Sequence, residues 1–203
     1  MPERPRFATR TYQAPERTVF DDMKDSLRAG VKTVSAPQLF PTPAPLAARV
    51  VQEAGIQPGH TVLEPSAGTG ALLEAIRVAG GTPTGVEISQ GLCQILRQRF
   101  EDIREADFLQ CNGDLGTFDR VVMNPPFADG QDVQHVTHAL HMVKPGGRLV
   151  AVMSAGVTFR QDRRTSDFRA LVERHGGSIE ALPDDSFAQS GTGVRTVLVT
   201  IDL

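Results

Sequence analysis

An asparagine, two prolines and an aromatic residue follow directly after a short apolar segment in the chain. The apolar segment ends at Met123, and the next residues are Asn124, Pro125, Pro126 and Phe127. The asparagine amide offers an acceptor and a donor, and the prolines fix φ at about −65° and remove two N–H donors. This pattern predicts a rigid corner at the carboxyl end of a strand, which presents an acceptor and an aromatic face to a planar amine or amide. A proline turn with Phe127 in the core is the alternative for this motif alone.

A glycine-bearing turn lies earlier in the chain, between a predicted strand and a predicted helix. The strand covers Thr61 to Glu64 and the helix covers Ala71 to Val78, with Gly68 and Gly70 in the turn. Glycine lets the backbone turn sharply and lets a ligand approach closely. The carboxylate of Glu64 suits a cationic or amine-bearing ligand, and the turn lacks the glycine spacing of a dinucleotide-binding motif.

Carboxylates also follow the next two predicted strands. Glu87 stands just past the strand Thr84 to Val86, close to the ~20 residues beyond a glycine turn at which a carboxylate binds ribose hydroxyls. Asp107 and Phe108 follow a short strand predicted over Ile103 to Ala106. An aspartate beside an aromatic could bind an adenine amino group and stack on its ring. A helix cap is the open alternative for Asp107.

The order of the predicted elements indicates the architecture. Strands and helices alternate along the chain, and two strands joined by a loop come last. This order predicts an α/β fold with a Rossmann-like, doubly wound sheet of about seven strands, mostly parallel, with one antiparallel strand near the C-terminus. Ligands bind outside the carboxyl ends of the strands in such sheets. Six polar or special residues are predicted at that edge, namely Glu64, Gly68, Glu87, Asp107, Asn124 and Phe127.

The composition limits the class of protein. A chain of 203 residues with 40% hydrophobic and 22% charged residues is typical of one globular domain. No apolar run approaches the ~20 residues of a membrane span, and the polar N-terminus lacks the apolar core of a secretory signal. We therefore expect a cytoplasmic protein with no membrane partner, whose two cysteines are buried thiols. The net charge of −3 gives no global signature of nucleic-acid binding.

Histidines and arginines form two local patterns. His135, His138 and His141 recur at helical spacing, and we expect them to line a solvated helix face, because no partner ligand has the spacing of a metal site. Arginines cluster in the first 17 residues and again between residues 160 and 174. Either cluster would suit phosphates, and ordinary surface arginine is the alternative.

Two segments are predicted for the chain as a whole. Residues 1–40 are expected to form an N-terminal arm with a short helix over Thr18 to Ala29. Residues 41–203 are expected to form the α/β domain. The pattern does not indicate what the arm does.

Two further features lie near the ends of the predicted domain. Prolines alternate from Pro41 to Pro45 and predict a stiff extended segment before the next helix, with Thr42 as its cap. A polar loop over Pro183 to Gly193 carries Phe187 at its centre. This aromatic either tucks into the core or forms a binding face.

The span from Phe40 to Leu203 resembles the class I methyltransferases that use S-adenosylmethionine. It is most similar to the amino-methylating, adenine-N6 DNA enzymes with an Asn-Pro-Pro-aromatic motif. The segments that carry the resemblance are FPTP, LEPSAGTG, GVEIS, ADF, NPPF and SFAQSGTGV. The chain departs from the family in stopping after the last core strand, so no separate target-recognition domain is expected. It also carries Ala67 where many relatives have glycine.

The resemblance implies roles for particular residues. The catalytic set would be Asn124, Pro125, Pro126 and Phe127, and Phe127 and Phe187 would contact the target base. S-adenosylmethionine would be the cofactor, and no metal is implied. Glu64 would lie near the sulfonium, Glu87 on the ribose and Asp107 on the adenine amino group. The full set expected to bind the cofactor is Thr42, Pro43, Glu64, Ser66, Ala67, Gly68, Gly70, Glu87, Ile88, Asp107, Phe108 and Asn124.

Three functions stay open from the sequence. The first is methylation of adenine N6 in DNA, with a nucleic acid as the partner. The second is methylation of an RNA base or of a protein glutamine, because an amide NH2 presents the same donor geometry. The third is a non-catalytic nucleic-acid-binding module that retains the fold, against which the intact Glu64, Glu87 and asparagine-proline corner argue.

Overall fold

Alternating strands and helices build one sheet with helices on both faces. The computed structural model describes residues 41–187 and 194–203. Within them lie seven strands, β1 Thr61–Glu64, β2 Thr82–Glu87, β3 Asp102–Glu105, β4 Phe118–Met123, β5 Val143–Ser154, β6 Ser178–Ala181 and β7 Thr196–Asp202. The same residues contain six α-helices, α1 Ala44–Ala54, α2 Ala71–Val78, α3 Gln90–Leu96, α4 Gln131–Ala139, α5 Gly156–Phe159 and α6 Arg163–Arg174.

The strand order of the sheet is β3-β2-β1-β4-β5-β7-β6. The pairs from β3 to β5 are parallel, whereas β7 runs antiparallel to both β5 and β6. The predicted fold, with one antiparallel strand near the C-terminus, is thereby confirmed. The strand order changes direction between β1 and β4, and doubly wound sheets bind ligands at such a point.

The central strands are buried on both faces, because successive side chains of a strand point to opposite sides of the sheet. In β4, Val121 and Met123 join the apolar cluster that includes α4 and α6 residues, while Val122 joins the cluster on the side of α1, α2 and α3. All three side chains are fully buried. Strands with two buried faces have near-continuous apolar sequences, so polar residues collect at the strand ends.

Two local predictions are wrong for reasons that lie in tertiary contacts. The Lys-Pro-Gly-Gly sequence of residues 144–147 predicts a turn, but these residues lie inside β5, where the Gly146 amide donates to the carbonyl of Leu203. Thr42 does not cap α1, because the N-cap position is Pro43. The hydroxyl of Thr42 instead accepts a hydrogen bond from Asn124.

The described residues all belong to one compact unit of the chain. The predicted helix over Thr18 to Ala29 and the arginines of the first 17 residues lie outside the described residues. Among the helices that the structure describes, none is long and apolar enough to cross a membrane.

A carboxylate joins three strands at the amino edge of the sheet. Asp119 accepts hydrogen bonds from the backbone N and the hydroxyl of Thr61, both at 2.8 Å, and from Lys144 Nζ at 2.9 Å. These residues stand at the starts of β1, β4 and β5. The Lys144 ammonium and the two Thr61 donors hold the pKa of Asp119 well below its ordinary value of 3.8.

We predict that Asp119→Ala lowers the free energy of unfolding at neutral pH by about 1–2 kcal/mol, since charge-assisted hydrogen bonds are lost and partial exposure screens the charges. Because the folded-state pKa is depressed, the contribution is present above the unfolded pKa and is lost as the pH falls through the folded pKa. Urea unfolding of both proteins at about pH 7 and about pH 3 measures the difference.

The matched control is Glu180→Ala, which removes an exposed ion pair with Arg49. It should change the free energy of unfolding by less than about 0.5 kcal/mol. A loss for Asp119→Ala that is no larger than the control, or that stays constant with pH, would contradict the assignment.

Candidate active site

Four neighbouring strands end at one edge of the sheet, and each is followed by a predicted site residue. Glu64 ends β1, Glu87 ends β2, Asp107 follows β3 and Asn124 follows β4. Because these strands pair in parallel, their carboxyl ends lie at the same edge. The structure therefore brings the four residues to one rim of the sheet.

Glu87 joins the loops that follow β1 and β2. Its Oε2 accepts from the Gly68 amide at 2.8 Å, and its Oε1 accepts from the Ser89 amide at 2.8 Å. The Ala67 amide donates to the carbonyl of Val86 at 2.9 Å. Both oxygens of the Glu87 carboxylate are thus held by backbone donors, and the turn after β1 is fixed against β2.

The turn after β1 packs tightly on α3. Gly70 has a φ of +82°, and a Cβ there would lie 2.7 Å from Leu96 Cδ2. An L-residue at this position would be strained by the backbone conformation and would also clash. The left-handed backbone conformation of the turn therefore favours glycine at this position.

Glu64 is a buried carboxylate, only 1% exposed. Its Oε1 accepts from the Ser66 amide at 3.1 Å, while its Oε2 has no hydrogen-bond partner among the described residues. Burial, with a smaller contribution from the negative charge of Glu87, raises the pKa of Glu64 well above its ordinary range, against the Ser66 hydrogen bond. A buried charge with an unmatched oxygen is costly unless a cation or donor completes it, so this position suits a cationic ligand.

The asparagine-proline corner is held by Thr42. The Nδ2 atom of Asn124 donates to Thr42 Oγ1 at 3.0 Å, and Asn124 itself is half-buried. Pro125 is buried and Pro126 half-buried. The bond to Thr42 fixes the plane of the asparagine amide and the direction of its carbonyl oxygen. Thr42 and Pro43, both predicted to bind the cofactor, thus lie at the start of α1 beside the corner.

The aromatic residues differ in exposure. Phe127 is half-buried and meets Phe187 edge-on, with ring centroids 6.4 Å apart. Phe187 is 1% exposed, so of its two predicted positions the structure has the tuck into the core. Its ring supports Phe127 from the interior, and the expected direct contact with a base is not available in this conformation. Burying a large aromatic ring in the core is more favourable than leaving it exposed in a polar loop.

The residues expected around an adenine ring also differ in exposure. Phe108 is buried, whereas Ile88, next to Glu87, is 70% exposed. Asp107 is exposed and its Oδ1 accepts from the Leu109 amide at 3.0 Å, so it caps a short 3-10 turn. Asp107 therefore has the alternative role that the sequence left open, and its exposed position keeps it accessible at the rim.

The prediction of a solvated histidine face is wrong for His135 and His138, whereas His141 is exposed. His135 is 8% exposed and contacts the Phe108 ring, and its Nδ1 lies 3.3 Å from Ser66 Oγ. His138 is half-buried, with its Nε2 2.6 Å from the carbonyl oxygen of Cys111. Within the described residues, no group of histidines, cysteines and carboxylates could hold a metal ion. The spacing in the sequence could have indicated this burial, because His135 and Ala139 are four residues apart and lie on the same face of the helix.

A family model described as a methyltransferase domain matches residues 63–151. Over these residues the chain is similar to methyltransferase domains. The matched segment runs from β1 into β5, and it contains Glu64, Glu87 and the asparagine-proline corner.

Curated relatives match part of the chain. A demethylmenaquinone methyltransferase of Tropheryma whipplei is 34% identical over 101 residues, which cover 47% of this chain and 42% of the relative. Ribosomal RNA small subunit methyltransferase A of Thermotoga neapolitana is 35% identical over 78 residues, or 36% of this chain and 30% of the relative. The chain thus spans less than half the length of these relatives.

Solved structures share the fold over more of the chain. A modification subunit of a putative type I restriction enzyme from Vibrio vulnificus has a TM-score of 0.68 at 20% identity, covering 90% of this chain and 48% of that one. A putative class I S-adenosylmethionine-dependent methyltransferase from Listeria monocytogenes has a TM-score of 0.64 at 16% identity, covering 91% and 67%. These likenesses show the methyltransferase fold.

S-adenosylmethionine is the methyl donor of such domains, and the residues of this one fit it. The buried Glu64 carboxylate, with its unmatched oxygen, suits the positive charge of the cofactor. Glu87 holds the turn at Gly68, and glycine is the residue type that lets a ligand approach the backbone closely. The charged neighbour that affects the pKa of Glu64 is Glu87, whose negative charge also favours a cation nearby.

We predict that Glu64→Gln stabilises the cofactor-free protein at about pH 8 and does so less at about pH 5. The folded-state pKa of Glu64 is raised, so the folded protein holds more protons than the unfolded chain and the parent loses stability as the pH rises from 4.5 through the folded pKa. Glutamine has no charge and does not contribute to this loss. Thermal melting of both proteins at the two pH values measures the effect.

The contrast variant is Glu87→Gln. Its amide nitrogen would face a backbone N–H where the parent has an acceptor, so the melting temperature should fall at both pH values. A Glu64→Gln protein that melts below the parent at the higher pH would refute the view that this carboxylate is held at a cost to the fold.

Proposed function

We propose that this protein transfers a methyl group from S-adenosylmethionine to an exocyclic amino nitrogen, and that this nitrogen is N6 of adenine in DNA. The observation that carries the proposal is the Asn124 amide, held by Thr42 on a strand end next to the strand that ends in Glu64. Methylation of an amine needs a neutral acceptor that orients the amine and a nearby site for a cationic methyl donor. Asn124 offers the first, and the Glu64 carboxylate offers the second. The Asn-Pro-Pro-aromatic sequence supports adenine as the target.

Asn124 would bind the reacting amine. Its carbonyl oxygen accepts one N–H of the target NH2 group, and the backbone carbonyl of Pro125 accepts the other. Two acceptors in fixed positions pull the nitrogen toward tetrahedral geometry and direct its lone pair. When bound, S-adenosylmethionine supplies an electrophilic methyl group on a sulfonium. The S–CH3 bond would break as the N–CH3 bond forms, and positive charge would pass from sulfur to nitrogen, so no strong base is needed first. The methylated nitrogen would then lose one proton to water. Orientation would provide most of the acceleration, up to ~7–11 kcal/mol in well-aligned cases.

Phe127 would hold the plane of the base. An adenine inside a duplex is out of reach, so the target must leave the stack and enter a pocket. The half-buried ring of Phe127, supported edge-on by Phe187, offers one face for stacking. Phe127 directly follows the two prolines, so the stacking face and the acceptor are fixed in one rigid segment.

An RNA base is the second candidate target. Ribosomal RNA small subunit methyltransferase A of Thermotoga neapolitana matches 78 residues at 35% identity. An unpaired RNA base can enter the same pocket without the cost of leaving a duplex. The chemistry assigned to Asn124 and Phe127 is unchanged in this case.

We predict that Asn124→Ala keeps cofactor affinity within about twofold and lowers kcat by about a hundredfold or more, as when one preorganised hydrogen-bonding group is removed. Calorimetric titration with the cofactor and single-turnover methyl transfer measure the two quantities. Thr42→Val is the matched variant, since it keeps the asparagine and removes only the bond that orients it. Turnover of Asn124→Ala at the parental rate would exclude this mechanism.

We expect methyl transfer from labelled cofactor to be fastest with duplex DNA when DNA, ribosomal RNA and a protein mixture are compared in parallel. Digestion of the labelled product should yield N6-methyladenine. Label in RNA alone would favour the second candidate, and label in protein or in no polymer would exclude a nucleic-acid substrate. The Asn124→Ala protein provides the background.

A further inference from the structure

A side-chain contact joins the turn after β1 to the helix that follows the catalytic corner. Ser66 lies in that turn, and its hydroxyl oxygen is 3.3 Å from Nδ1 of His135 on α4. The backbone of the same serine donates to Glu64. Ser66 is therefore held from two sides, by the strand before it through its amide and by α4 through its hydroxyl.

The start of α4 is itself fixed near the corner. Asp132 is 2% exposed and accepts from the Ser154 amide at 3.0 Å and from the Val133 amide at 2.9 Å. This ties the first turn of α4 to the end of β5. His135 follows one turn later on a helix that begins shortly after Phe127, so its ring has a defined place relative to the corner.

We infer that His135 is a positioning residue of the methyltransferase, which through Ser66 holds the turn after β1 in register with α4 and thereby sets the affinity for the cofactor. The inference rests on the proposed function, because it assigns the turn to cofactor binding. Ser66 is the partner through which His135 acts, and the chemistry stays with Asn124.

The charge state of His135 suits this role. Burial lowers its pKa to about 4, with Asp107 opposing and His138 adding to the shift. The imidazole is therefore neutral across the physiological range and brings no positive charge to a site for a cationic cofactor. A neutral ring can accept the Ser66 hydroxyl proton at Nδ1 or donate to the hydroxyl oxygen, depending on its tautomer.

The test uses variants on both sides of the contact. His135→Phe keeps a ring against Phe108 and removes the nitrogen, while Ser66→Ala removes the hydroxyl. Each should weaken cofactor binding by roughly three- to tenfold, the value of one hydrogen bond, with kcat at saturating cofactor little changed. The double variant should be no weaker than the poorer single variant, because both changes break the same contact.

Rescue distinguishes positioning from packing. His135→Asn places a polar atom at the distance of Nδ1 from the backbone and should restore most of the affinity, whereas His135→Gln reaches the position of Nε2 and should not. His138→Gln is the control, because His138 also contacts Phe108 but bonds to the Cys111 carbonyl. It should leave cofactor affinity unchanged.

Hydrogen exchange of the cofactor-free protein supplies an independent readout. His135→Phe and Ser66→Ala should each speed exchange of the amides in residues 66–70, and His138→Gln should not. Unchanged affinity and exchange in the first two variants, additive losses in the double variant, or equal rescue by asparagine and glutamine would overturn the inference. If the parent protein binds no cofactor, the proposed function fails, and the exchange result alone decides whether His135 holds the turn.

Discussion

The carboxylate of Glu87 is the constraint on which the rest of the site depends. It accepts one hydrogen bond from a backbone amide of the turn after β1 and one from a backbone amide of the loop after β2, both at 2.8 Å. The two donors reach different oxygens of Glu87, and a glutamine would present only one oxygen there, whereas a carboxylate presents two. The turn can therefore pass close to α3 at Gly70, and the ends of β1 and β2 form one rim.

Glu64 opposes folding, whereas Glu87 stabilises the loops that it joins. One of its oxygens receives a backbone donor and the other receives none among the described residues. A hydrophobic or neutral side chain would stabilise the end of β1 better, because a buried, incompletely paired charge opposes folding. Such local conflicts occur where a ligand completes the interaction, and a cationic methyl donor would do so here.

Local signals predicted much of the fold. The strand β1 and the helix α2 have the predicted bounds. The apolar segment indicates the strand, the glycines indicate the turn, and the amphipathic pattern indicates the helix. Residues 144–147 were misassigned because Lys-Pro-Gly-Gly is typical of a turn, and only pairing with Leu203 makes the segment part of β5. Thr42 resembles a helix cap in sequence, but its hydroxyl bonds to a residue 82 positions away.

The sequence by itself determined the order of the elements, the parallel sheet and the residues that stand at its carboxyl edge, because periodicity, glycine turns and prolines act over a few neighbouring residues. Only the tertiary structure decided which polar atoms are paired there. The pairing of Ser66 with His135, the unmatched oxygen of Glu64 and the burial of Phe187 behind Phe127 all depend on how elements distant in the chain pack. Packing distances of this kind are set by the whole core, which no local pattern encodes.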